Sequence, residues 1–151
     1  MSQKLKEKSL SPEIQADSVN PPAPEKLSVA QLDERIRRAL HAAAEKKALE
    51  PVVMDLRGIA SFTDFFVIVT GANRRQAQAI SDEIVEQMKR HGSPASRVEG
   101  YQNAEWILVD YGDFVVHIFD EKARRFYDLE RLWREAGRLD VSSAELATIA
   151  L

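Results

Sequence analysis

Asp110 and Asp113 bracket a turn in the run Trp106-Ile107-Leu108-Val109-Asp110-Tyr111-Gly112-Asp113-Phe114-Val115-Val116-His117-Ile118-Phe119. Two carboxylates at that spacing could take two corners of a metal site, and the imidazole of His117 could act as a general base. Each role needs partners. No third ligand lies near the aspartates in sequence, and no nucleophile or acid lies near His117. Two-metal nucleotidyl transfer would want closely spaced carboxylates on one strand and a glycine-serine turn, a pattern missing here. Aspartate as a turn former accounts better for Asp110 and Asp113. A hydrogen-bonded core or edge histidine accounts better for His117.

Thr70-Gly71-Ala72-Asn73-Arg74-Arg75-Gln76 is a second place for chemistry, because a helix N-terminus with two arginines can hold an anion. It lacks the glycines of a dinucleotide loop and the Gly-Lys-Ser/Thr of a P-loop, which favours a tight turn with solvated arginines. Arg124, Arg125, Arg131, Arg134 and Arg138 make a basic series, offset by Asp120, Glu121, Asp128, Glu130 and Glu135. That balance is the mark of a solvated face. Trp106 shares a strand face with Leu108 and Asp110 by the period of two. It belongs either to a core or to a protein interface, where exposed Trp and Tyr serve as anchors. From Ser96 to Asp113 the charged residues are Arg97 against Glu99, Glu105, Asp110 and Asp113, a net of −3. An acidic rim around aromatics suits a basic partner.

The elements that must position these residues are legible from periodicity. Ser28-Val29-Ala30-Gln31 matches a capping box, and Val29, Leu32, Ile36, Leu40 and Ala43 follow helical spacing to an end near Lys46 or Lys47. Val52 to Leu56 predicts a strand. Phe62 to Thr70 predicts another, apolar on both faces and therefore central. A second helix carries Ala77, Ile80, Ile84 and Met88 inward and stops at Gly92. A short strand from Ser96 to Gly100 follows, and the strand-helix-strand order favours a right-handed parallel crossover. Trp106 to Phe119 is then a hairpin with Asp110 to Asp113 at its turn. Asp120 caps a third helical region whose stripe is Ala123, Phe126, Leu129, Leu132 and Trp133, ended by Gly137. The expected fold is α/β, a mixed sheet of about five strands with helices packed on it. Residues 1–26, polar and rich in proline, predict a disordered tail. The folded domain is expected over 27–136, with a C-terminal tail over 137–151.

The chain has 151 residues, 44% hydrophobic and 30% charged, a composition that fits one soluble domain with a substantial core. It has no apolar run near the ~20 residues that span a bilayer. The N-terminus has no apolar block behind Met1–Lys8, unlike a secretory signal. Cysteine is absent, which excludes disulfides, thiol catalysis and cysteine metal sites and suits a reducing cytoplasm. Net charge is −3 and the pI about 5.7, so naked nucleic acid is an unsuitable principal partner and a basic protein a better one.

Three segments resemble the bacterial ribosomal silencing factor family, also called Iojap-related. They are Thr63 to Gly71, then Glu99-Gly100 with Trp106 to Phe119, then Arg124 to Trp133, in family order and spacing. The resemblance implies a nucleotidyltransferase-like fold without catalytic residues, no cofactor and no metal. It implies a cytoplasmic translational repressor that binds the large ribosomal subunit through ribosomal protein fourteen. Such a factor blocks association with the small subunit when nutrients are limiting. It further implies a homodimer when free and, at most, secondary contact with ribosomal RNA. The family's tryptophan at the ribosomal contact corresponds to Trp106, its neighbours there to Ile107, Asp110 and Tyr111, and Glu99 lies in the matching motif. Two other readings stand beside this one. One is a nucleotidyltransferase-like enzyme using Asp110, Asp113 and the Gly71 turn, and the other a dimeric ribosome-assembly scaffold.

Overall fold

A computed structural model describes residues 27–149. The segment 1–26, expected as a disordered tail, lies outside the described residues. The elements are α1 (Glu34–Glu45), β1 (Leu49–Asp55), β2 (Phe65–Gly71), α2 (Arg74–Arg90), β3 (Arg97–Glu99), β4 (Trp106–Asp110), β5 (Phe114–Asp120), α3 (Glu121–Tyr127), α4 (Leu129–Leu132), β6 (Gly137–Asp140) and α5 (Ser143–Ala147). The expected α/β class and mixed sheet are present, with six strands rather than five, in the order β3-β4-β5-β2-β1-β6.

The unbroken apolar run Phe66–Val69 takes the centre of the sheet, parallel to β5 and antiparallel to β1. Both faces are covered there, which is why no polar alternation interrupts it. The crossover after α2 does bring the chain back in the direction of β2. It lands at the edge, because β4 and β5 insert between β2 and β3. α1 and α2 cover one face. Ile36, Leu40, Ile80, Ile84 and Met88 pack there on Val67, Val69, Val116 and Ile118. The other face carries Met54, Phe66, Ile68, Val115 and Phe119, and among the described residues it is covered by Ala123 of α3, Leu129 of α4, Trp133 and Ala136 after α4, and Ala60 from the loop after β1. That face is therefore only partly roofed.

Three expectations are corrected. The capping box at Ser28 does not form. Val29–Gln31 closes a single 3-10 turn, and Asp33 caps α1 by accepting from the Arg35 N–H at 2.8 Å. Residues 137–151 are not a loose tail from their start: Gly137–Asp140 form β6, paired antiparallel with β1, and α5 packs against α1. Four residues are too few to show a period, but the open edge of β1 offers them unpaired backbone groups to satisfy. The third helical region is not one helix. Asp128 adopts the left-handed conformation (φ 47°) and separates α3 from α4. The break turns Phe126 and Leu132, expected on the buried stripe, out to 78% and 67% exposure.

Candidate partner-binding site

Strand alternation divides the residues singled out in β4 between the two faces of the sheet. Trp106, Leu108 and Asp110 lie on the partly roofed face. Ile107, Val109 and Tyr111 lie under α1 and α2. Two expected contact residues are thereby corrected. Ile107 has no exposed surface, and Tyr111 is buried with its ring stacked on Phe114. A one-residue step along a strand reverses the face, so neighbours of Trp106 in sequence are not its neighbours in space. The Tyr111 hydroxyl has no hydrogen-bond partner among the described residues, and burial pushes its pKa up to about 12. These two side chains hold the hairpin to the helices.

Trp106 is half-buried and tightly placed. Its indole Nε1–H donates to Nδ1 of His117 at 3.0 Å, across the hairpin. Indole nitrogen can only donate, so Nδ1 is the bare nitrogen and Nε2 carries the proton. His117 is buried, and desolvation pushes its pKa down to about 3, which keeps the ring neutral and the acceptor available. Its Nε2 has no hydrogen-bond partner among the described residues, and Phe66 meets the ring edge-on at a centroid distance of 4.4 Å. Phe119 and Tyr127 pack on Trp106 at 5.0 and 4.6 Å. Gly100 shapes the same corner: at φ +79° it lies so close to β4 that a Cβ there would stand 2.0 Å from the Trp106 carbonyl oxygen.

The acidic rim is present but smaller than the charge count implied. Register places Arg97 opposite Asp110 and Glu99 opposite Leu108, so all four share the face of Trp106. Arg97 reaches Glu99 at 2.8 Å and Asp110 at 3.2 Å, which binds the two carboxylates into one ladder whose Asp110 end is half-buried. Glu105 is exposed just before Trp106. Asp113 leaves the rim altogether and pairs with Arg35 of α1 at 2.9 Å.

The positions considered for catalysis have structural tasks. Asp110 Oδ1 accepts from the Gly112 N–H at 2.8 Å, closing the hairpin turn. The turn at Gly71 is filled: a Cβ there would lie 2.9 Å from the Ala77 nitrogen, and the Asn73 side chain takes the Gln76 N–H at 2.8 Å. Among the described residues, no group of three or more His, Asp or Glu is placed to hold a metal. No described helix is long and apolar enough to cross a membrane.

Aromatic residues extend the site beyond those named from sequence. Ring contacts run from Phe62 to Trp133 and Phe66, on to His117 and Trp106, and out through Tyr127 to Phe126. Both ends are open to solvent, Phe62 at 60% and Phe126 at 78%. Local periodicity could not find this ridge, because its members come from three strands, a loop and the α3–α4 region.

The family described as "Ribosomal silencing factor during starvation" matches residues 29–150. A ribosomal silencing factor of Halalkalibacterium halodurans is 38% identical over 108 residues, 72% of this chain and 92% of its own length. That of Bacillus subtilis is 38% identical over 106 residues, 70% of this chain and 90% of its own. A crystal structure of a Chromobacterium violaceum protein superposes with a TM-score of 0.66 at 29% identity, covering 72% of this chain and 88% of that one.

Proposed function

The chain belongs to the ribosomal silencing factor family, and from that premise we propose that it represses translation by binding the large ribosomal subunit through ribosomal protein fourteen. It then blocks association with the small subunit when nutrients are limiting. The mechanism is occupancy. A rigid surface seated where the subunits meet excludes the second subunit without cofactor or bond-making.

The observation that carries this reading is Trp106 held in place by His117 on a partly roofed sheet face. A pre-set indole loses little freedom on docking, and buried aromatic anchors carry much of an interface's energy, ~2 kcal/mol or more each. The Glu99–Arg97–Asp110 ladder and Glu105 surround it with polar groups suited to a basic protein surface. Tyr111 and Ile107 support the hairpin from beneath rather than touch the partner. In the free state the chain is a homodimer, and the exposed Phe62 beside Trp133 is apolar surface that such pairing would cover.

Cosedimentation with separated subunits, together with a subunit-joining assay, tests the proposal. The wild-type chain pellets with large subunits and inhibits joining. Trp106→Glu loses about 30-fold or more in affinity and keeps a cooperative unfolding transition. Unchanged cosedimentation of that variant would remove Trp106 from the site.

A further inference from the structure

We propose that the α3–α4 elbow is an RNA-contacting surface, gripping the sugar-phosphate backbone of ribosomal RNA beside the protein partner. The proposal rests on the chain sitting on the large subunit, but a different set of residues carries it. A surface hollow of about 340 Å³ lies at the elbow, lined by Arg125, Arg131 and Arg134 with Asp128 as its one carboxylate. Phe126 and Leu132 line it too and are 78% and 67% exposed. Arg125 pairs with Glu121 at the surface. Arg131 and Arg134 form no ion pair among the described residues, while Arg124 is committed inward to Glu130 and Thr70. The basic series therefore does not cancel in space as it does in sequence: Arg124 is consumed by the core, Arg138 pairs with Asp140, and Arg125, Arg131 and Arg134 line one hollow that spans the break at Asp128.

The elbow is continuous with the Trp106 site. Phe126 meets Tyr127 edge-on at 5.0 Å, and Tyr127 packs on Trp106 at 4.6 Å. One surface thus has an acidic end, at Glu99, Glu105 and Asp110, and a basic end at the elbow. A basic protein seated on RNA presents the complementary pair. The choice of RNA over an acidic protein follows from shape. A protein helix docks apolar side chains into an apolar groove. Here Phe126 projects, and arginines rather than apolar residues line the hollow. A projecting ring flanked by arginines suits base stacking with phosphate contacts.

The test uses the full chain, purified large subunits, a fluorescein-labelled single-stranded RNA of twenty nucleotides, and ribosomal protein fourteen free of RNA. In the double variant Arg131→Gln/Arg134→Gln, affinity for subunits and for the labelled RNA falls roughly tenfold at low salt. On the single-stranded RNA the slope of log affinity against log salt falls by about 1.4, roughly 0.7 for each lost phosphate contact. Phe126→Ser loses roughly fivefold or more on the RNA. Both keep wild-type affinity for isolated protein fourteen. An unchanged affinity and salt slope overturns the proposal. Equal loss on isolated protein fourteen also overturns it, in favour of a protein contact. Failure of Trp106→Glu to weaken binding to protein fourteen would sink the Trp106 site alone, since the RNA measurements do not depend on it.

Discussion

Trp106 and His117 form a donor–acceptor pair across the hairpin, 3.0 Å between the indole nitrogen and Nδ1. The pair is diagonal, because register sets Trp106 opposite Phe119 and His117 opposite Leu108. A half-buried side chain on a partly roofed face is thereby given one orientation by a buried one.

The first prediction concerns that orientation. His117→Phe keeps an aromatic ring in the core but removes the acceptor. Affinity for large subunits should fall about fivefold, in line with a hydrogen bond of about 1 kcal/mol. In a Trp133→Phe background, the Trp106 fluorescence anisotropy should fall as well. A role in packing alone would leave anisotropy unchanged.

A second prediction is pH dependence of stability. His117 is depressed to about 3 in the folded chain, against an ordinary value near 6.5 when unfolded. Between those values the unfolded state binds the extra proton, so stability rises with pH there. The contribution of neutral His117 is complete above pH 6.5 and is lost progressively on acidification toward pH 3, about 2 kcal/mol of it by pH 5. Urea titrations at pH 7 and pH 5 measure it. His117→Phe should lose that part of the pH slope.

Tyr111 and Ile107 separate support from contact. Tyr111→Phe removes a buried hydroxyl that has no partner among the described residues. Stability should hold or rise slightly, and subunit binding should be unchanged. Ile107→Ala should cost about 3 kcal/mol of stability through the cavity it leaves. Subunit affinity measured on the folded fraction should stay at the wild-type value. Weakened binding by Tyr111→Phe would return that residue to the interface.

Arg124 bonds Glu130 at 2.7 Å and the Thr70 hydroxyl at 2.8 Å, with both charged side chains largely buried. Breaking such a pair from one side strands a charge. Glu130→Ala should cost about 3–5 kcal/mol, read by chemical denaturation. A loss below about 1 kcal/mol would mean that water reaches the pair.

Gly100 should resist substitution. Gly100→Ala combines left-handed backbone with a clash against the Trp106 carbonyl. It should cost at least ~1–3 kcal/mol and weaken subunit binding beyond the stability loss, because β4 must shift. Paired denaturation and cosedimentation curves separate the two effects.

Much of this architecture was legible in the sequence. The apolar run from Phe65 to Val69 marked a central strand, the stripe Ala77, Ile80, Ile84 and Met88 marked the buried side of α2, and Asp110 to Asp113 marked the hairpin turn. These are local signals, because spacing along one element decides which side chains share a face. The three ordered motifs pointed to the family through the same local residues. What failed needed distant partners. β6 is a strand because the edge of β1 is open to it. Phe126 and Leu132 face solvent because one left-handed residue resets the helix. Arg131 and Arg134 stand exposed without an ion pair among the described residues, while Glu130 is turned inward to Arg124.

For the site itself, residue types were set by the sequence and their company by the fold. Sequence alone determined that Trp106, Leu108 and Asp110 lie on the opposite side of β4 from Ile107 and Tyr111, since a strand alternates with period two. It left open which side the helices cover. Tertiary structure decided that, by packing α1 and α2 over Ile107 and Tyr111 and leaving Trp106 near solvent with His117 behind it. The reason is that helices bury whichever sheet face their own apolar stripes can fill, and that choice depends on every strand in the sheet at once.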